Sequence, residues 1–308
     1  TLRRSPYKAI LPPKKTTSML PSSPPTDHQQ IHQLLTDPHR PHFIGRIAGI
    51  ELKVASLVLA PARQLANQDL IELENNAGIH TTSYASLKEY ATRLLAAYEA
   101  CSFIAEWPTQ GEVFHITGAG QEWIAKNTPT IPKGSALSLE PYYLEPSEHT
   151  LSWLTALTGK RILILHPFVH TFQKQLAHLA ELYPGRSWFQ GCEFQFLRPP
   201  VTLAGNHDNK DWKEHYEACI EQLRTLPPFD IALVGAGGYG MLLSHAILTE
   251  RGASVVYVGG ALQLFFGVIG KRWFTNKQVM ALMNSRWIRP VKEDQPPEYQ
   301  RVERGCYW

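Results

Sequence analysis

Gly235-Ala236-Gly237-Gly238-Tyr239-Gly240 spells G-x-G-x-x-G, a pattern suited to holding a phosphate. Glycines let a ligand approach the backbone closely, and free N–H groups at a helix start attract an anion. The same residues could form a tight strand-to-helix turn that needs glycine only for packing. Their position between a strand pattern and a helix pattern favours the nucleotide reading. Arg46 and Glu51 flank a second turn bearing Gly49. That arrangement suits a diphosphate and a hydroxyl, although an ion pair at a helix start is the plainer reading. His166 ends an apolar run, where a functional histidine would stand, and a structural, hydrogen-bonded role is equally open. His170 lies four residues on, but Pro167 interrupts the helix that a metal-binding pair would need. Asp208, in Gly205-Asn206-His207-Asp208-Asn209, could serve as a base, but an N-cap for the following helix is preferred. Gln263, Phe265, Phe266, Lys271 and Arg272 occupy a glycine-broken stretch that fits either a pocket wall or a buried loop.

The elements that would carry these groups alternate between two periods. Residues 230–234 read as a buried strand, 241–250 as a helix closed by Arg251-Gly252, and 254–258 as a second buried strand. A dinucleotide fold usually places an acid about 20 residues after its first glycine, on the ribose. Here Tyr257-Val258-Gly259-Gly260 offers neither an acid nor an arginine for a 2′-phosphate, so NAD and NADP are disfavoured. Residues 43–51 read as a short strand or turn leading into a helix through about Leu59, and further strands are expected at 102–106, 112–117, 136–139, 161–165 and 192–197. Further helices are expected at about 69–78, 86–101, 171–182 and 212–226. This alternation predicts a single Rossmann-like α/β domain over 30–308, with a largely parallel sheet flanked by helices. Residues 1–29 are rich in Pro and Lys and read as a disordered, solvated tail.

The 308 residues, 44% hydrophobic, can bury one large core or two modest ones. A formal charge of +3 is too small for a dedicated nucleic-acid binder. Cys101, Cys192, Cys219 and Cys306 are widely spaced, which indicates neither a disulfide framework nor a cysteine zinc site. With no secretory segment and no run long enough to span a membrane, a cytoplasmic protein with reduced thiols is expected. A chain beginning on Thr1 rather than Met reads as a fragment or a processed chain.

Seven segments, taken in order, resemble the GT-D-type glycosyltransferases. They are GRIAGIEL (45–52), NNAGI (75–79), LEP (139–141), ILILHPF (162–168), DIALVGAGGYG (230–240), GGALQLFFGVIGKRW (259–273) and WIRP (287–290). More narrowly, they resemble the bacterial branch associated with capsule and surface-polysaccharide genes, and the resemblance runs from about residue 42 to the end. It implies a nucleotide-sugar donor, often a UDP-sugar, and a glycan or small-molecule acceptor. The family's arginine-glycine-glutamate turn matches Arg46, Gly49 and Glu51. Founding members carry an Asp-x-Glu pair after the late strand, which binds a divalent cation (Mn or Mg) and the diphosphate. The matching residues here, 260–265, contain no carboxylate, so metal-independent transfer is expected.

Without that pair, the leaving diphosphate needs fixed donors. The donors expected are Arg46, Gly49, the turn amides of Gly235, Gly237, Gly238, Tyr239 and Gly240, and then Gly259, Gly260, Gln263 and Arg272. Glu51 is the first choice as base for the acceptor hydroxyl, with His166 and Asp208 in reserve. The competing readings are a Rossmann-type methyltransferase or oxidoreductase, and a binding protein that kept the fold without catalysis.

Overall fold

The computed structural model describes residues 25–60, 64–108, 112–144 and 146–308. The chain opens with α1 (Pro25–Thr36), β1 (Phe43–Arg46), α2 (Ile50–Leu59), α3 (Asn67–Ala77), α4 (Tyr84–Glu99) and β2 (Phe103–Glu106). Next come α5 (Glu112–Asn127), β3 (Lys133–Ser135), β4 (Arg161–Leu165), α6 (Val169–Gln175), α7 (Leu179–Leu182) and β5 (Glu193–Leu197). The last third contains α8 (Trp212–Thr225), β6 (Ile231–Val234), α9 (Gly240–Arg251), β7 (Ser254–Tyr257), α10 (Leu262–Phe265) and α11 (Lys277–Leu282).

The seven strands form one sheet in the order β3-β2-β1-β7-β6-β4-β5, and every pairing is parallel. The protein therefore has the α/β, Rossmann-like architecture expected, with helices on both faces of a parallel sheet. Strand side chains alternate between faces, so each buried strand feeds two cores. Leu163, Leu165, Ala232, Val234 and Val255 join the core covered by α2, α3, α4, α5, α8 and α9. Ile162, Ile164, Ile231, Leu233 and Val256 join the core under α1, α6, α7, α10, α11 and the C-terminal segment. A strand buried on both sides has no polar position to spare, hence the near-continuous runs RILIL and IALV.

Three expectations need correction. The segment 1–29 falls mostly outside the described residues, but from Pro25 onward it belongs to α1. That helix buries Ile31 and Leu35, and the Asp27 carboxylate accepts the Ser135 N–H at 2.7 Å. Residues 112–117 begin α5 rather than forming a strand. Gly120 is a contact point there: a Cβ on it would lie 2.7 Å from Leu52 Cβ in α2. Gly120 thus permits close helix packing and does not end an element. Residues 136–139 form a 3₁₀ turn capped by Ser135, and the strand lies just ahead, at 133–135.

The chain leaves β1 toward the first core and leaves neighbouring β7 toward the second. It likewise leaves β6 toward the first core and neighbouring β4 toward the second. Where adjacent strands send their connections to opposite faces, a crevice opens at their carboxyl ends, and ligands of open α/β sheets bind there.

Candidate functional site

The crevice is built from the ends of β1, β7, β6 and β4. Arg46 is the last residue of β1 and is only 8% exposed. It crosses to the β7 end, where its Nη1 donates to the Val258 carbonyl at 2.6 Å. Its Nη2 donates to Glu140 Oε1 at 2.7 Å, and Glu140 Oε2 accepts from the Tyr142 hydroxyl at 2.6 Å. The Trp107 ring lies 4.4 Å from the guanidinium carbon, an aromatic cover that favours a cation. The Tyr98 hydroxyl donates to the Arg46 carbonyl and accepts from the Ala48 N–H, which fixes the backbone of the turn. Arg46 is thus paired with Glu140 and not with Glu51, and among the described residues two of its five donors are engaged.

Glu51 stands in the first turn of α2 and is buried. Burial raises its carboxyl pKa, with the nearby Glu303 carboxylate adding to the rise; N–H groups of Glu51 and Gly49 partly offset it. Gly49 is the N-cap of that helix and provides no side-chain cap.

The glycine turn joins β6 to α9. The Gly235 N–H donates to the Leu165 carbonyl at 2.9 Å, and the Tyr239 N–H closes back on Ala236. Among the described residues, none accepts a hydrogen bond from the N–H groups of Ala236, Gly237 or Gly238. Gly237 has φ +50°, a left-handed conformation that costs glycine little. The Tyr257 hydroxyl donates to its carbonyl at 3.2 Å. Gly240 admits the Tyr257 ring, whose Cε2 would lie 2.1 Å from an added Cβ. The Tyr239 side chain is buried, and its hydroxyl lies 3.3 Å from Thr202 Oγ1.

Gly235 is where three strand ends meet. A Cβ there would lie 2.6 Å from the Gly259 carbonyl and 2.7 Å from His166 Cδ2, while Gly259 faces Arg46 Nη1 at 3.8 Å by the same construction. Gly235→Ala is therefore expected to cost about 1–3 kcal/mol through overpacking. Urea denaturation would show it as a lower midpoint with unchanged slope.

His166 belongs to this junction but makes a poor base. It is buried, with its ring stacked on Phe172 at 4.7 Å between centroids. Burial pushes its pKa down to about 3, opposed in part by Asp294. Its Nδ1 accepts the Phe168 N–H at 3.1 Å. This bond places the proton of the neutral ring on Nε2, so His166 can offer a ligand a donor but not a lone pair.

The remaining expected residues lie farther out. Gly260 and Gln263 sit under the C-terminal segment: a Cβ on Gly260 would lie 2.5 Å from the Tyr307 ring. Gln263 is buried, and its Nε2 donates to the Val268 and Tyr307 carbonyls. Arg272 Nη1 donates to the Tyr307 hydroxyl at 2.7 Å. Phe265 and Phe266 are wholly buried, as is Gln263, so this part of the stretch is core and not a pocket wall, whereas Lys271 and Arg272 are exposed. Asp208 is exposed, has φ 52°, and among the described residues makes no hydrogen bond to a group of the crevice. The N-cap of α8 is Asp211, whose carboxylate accepts the Lys213 N–H, and not Asp208.

Glu140, Trp107 and Tyr257 were not expected as site residues. Glu140 had one signal, a lone acid between an apolar run and Pro141. Tyr257 reads as part of a buried strand, and no pattern in the sequence singles out Trp107.

No protein-family model matches the chain, and no curated protein does. Among solved structures it is similar to one of the domain of unknown function 1792, described as having a distinct glycosyltransferase fold. Identity is 15%, 75% of this chain and 81% of that chain are covered, and the TM-score is 0.36. A selenomethionine-substituted structure of the same domain matches at 14% identity, covering 76% and 82%, also with a TM-score of 0.36. No helix among the described residues is long and apolar enough to cross a membrane.

Proposed function

We propose that the chain is a glycosyltransferase that takes a nucleoside-diphosphate sugar, with UDP as the preferred nucleotide, and moves the sugar to a hydroxyl of a glycan or small acceptor. The observation that carries this reading is the run of unpaired N–H groups at Ala236–Gly238 beside the Arg46 junction. Backbone donors without partners at a strand's carboxyl end are an anion site in waiting. Glu51 takes the proton from the acceptor hydroxyl as its oxygen bonds to the anomeric carbon. The bond to the diphosphate breaks, and its electron pair leaves on a phosphate oxygen stabilised by the turn amides and by Arg46. A buried carboxyl with a raised pKa is suited to that proton transfer.

The resemblance implies a divalent cation, but the residues at the matching place do not fit one. Segment 259–265 contains no carboxylate to hold one. No step of the reaction is therefore assigned to a metal.

Thermal unfolding with UDP, UDP-sugars, NAD and S-adenosylmethionine tests the proposal. A nucleotide at 100 times its Kd should add about 2.7 kcal/mol of stability. A rise with UDP or a UDP-sugar, retained in EDTA, is the expected result. A rise only with NAD or S-adenosylmethionine would replace the reading with an oxidoreductase or methyltransferase. UDP binding without donor turnover, with or without Mn²⁺, would leave a binding protein.

A further inference from the structure

Away from the crevice, three metal-ligating side chains converge where α3 meets the segment before α8. Glu74 lies in the last turns of α3, and Gly78, left-handed at φ +75°, turns the chain so that His80 folds back on it. His80 Nδ1 lies 3.0 Å from Glu74 Oε2. His207 comes from the other side, with its Nε2 3.3 Å from Glu74 Oε1. The two imidazoles stack face to face, 3.7 Å between centroids and 3° from parallel. One ligand atom from each residue lies within 4.8 Å of the other two. The loop carrying His207 is held in an uncommon backbone: Asp208 and Asn209 have φ 52° and 57°, although neither is glycine. Such strain persists only where the surroundings enforce it, and it collects at functional positions.

We propose that Glu74, His80 and His207 form a site for a divalent transition ion of the zinc class. Two imidazoles and one carboxylate are a donor set that suits zinc. The Glu74 side chain is 35% exposed and that of His80 is 22% exposed, which leaves solvent room for a fourth ligand. Coordination requires a lone pair on each ring nitrogen that faces Glu74. On His80 the proton moves to Nε2. On His207 it moves to Nδ1, which now accepts the Asn209 N–H at 3.1 Å. Binding therefore exchanges the two imidazole–Glu74 hydrogen bonds and the Asn209 bond for coordinate bonds, and the parallel rings must turn out of their stack to aim both lone pairs at one ion.

The consequence reaches the crevice through packing. The Ala77 carbonyl supports the glycine turn, lying 2.8 Å from where a Cβ on Gly238 would be. Thr202 Oγ1 donates to the Gly78 carbonyl at 2.6 Å. An ion clipping α3 to the 203–211 loop would brace the back of that turn; this is a bracing role, with no part in the transfer step.

The test uses the whole chain, freed of metal by chelation and titrated with ZnCl₂ by calorimetry. One saturable equivalent is expected, with a higher thermal midpoint. Co²⁺ should give the intense visible bands of a four-coordinate site. His80→Gln and His207→Gln should each weaken binding by about 100-fold or more, with circular dichroism confirming the fold. His80 is partly exposed, so its variant keeps the test valid if His207→Gln does not fold. Absence of saturable binding, or full-strength binding in a folded His80→Gln variant, overturns the site.

Discussion

Glu51→Gln is expected to lower glycosyl transfer by about 10²–10⁴-fold, the usual worth of a positioned acid or base, while the affinity for UDP stays within a few-fold. Glutamine keeps the shape and can still hydrogen-bond, but it cannot take the acceptor's proton. Its effect on stability should run the opposite way. Burial raises the Glu51 carboxyl above the ordinary glutamate value of about 4.5, so the folded chain holds this proton more tightly than the unfolded one. Stability therefore falls as pH rises from that ordinary value through the raised one, and the deficit persists above it. The Gln variant, having nothing to ionise, should be as stable as the parent or more so at neutral pH, and the difference should close in acid. Urea titrations across pH, paired with initial rates, read both effects. Transfer rates within a few-fold of the parent would remove Glu51 from the chemistry.

Glu140→Ala is expected to be the most damaging single change to stability, by about 3–5 kcal/mol. Its Oε1 balances Arg46 at 2.7 Å, and both side chains are less than 10% exposed. Deleting the carboxylate leaves a guanidinium buried under Trp107 without a counter-charge and strips the Tyr142 hydroxyl of its acceptor. Replacing both partners, as in Arg46→Met with Glu140→Leu, should cost less than the single change, because no lone charge remains in the interior. Denaturant midpoints of the two singles and the double form the cycle. A Glu140→Ala loss below about 1 kcal/mol would place the pair in the class of solvent-screened ion pairs. The Arg46-containing single also bears on function: a guanidinium released from Glu140 should bind UDP no more weakly than the parent, provided the fold survives.

Much of the fold is legible in the chain because burial on two sides leaves a strong signal. RILIL and IALV announce central strands, and Gly252 at φ +59° marks the end of α9, as its place after Arg251 implies. Expectation and structure part where one signal serves two purposes. The β-branched and aromatic run at 112–117 favours a strand locally, but the segment opens α5, a helix whose Gly120 lies against α2. The Asp-Asn of the 205–209 loop resembles a cap, yet the capping box of α8 is made three residues later, by Asp211 and Glu214.

The site divides in the same way. Local order makes the glycine turn readable, since strand, turn and helix are contiguous and their backbone needs are written in adjacent residues. The sequence by itself thus determined the parallel α/β class, the turn at 235–240, the place of Arg46 beside a glycine-bearing turn and that of His166 at a strand end. Only the tertiary structure decided that Arg46 pairs with Glu140, 94 positions away, and that His166 is a neutral ring with its lone pair already used. It likewise decided that Tyr307 lies over Gly260 and that Glu74, His80 and His207 meet. Contacts of that span depend on which strands become neighbours and which face each connection takes. That choice is made by the burial of whole elements, to which no single segment holds the key.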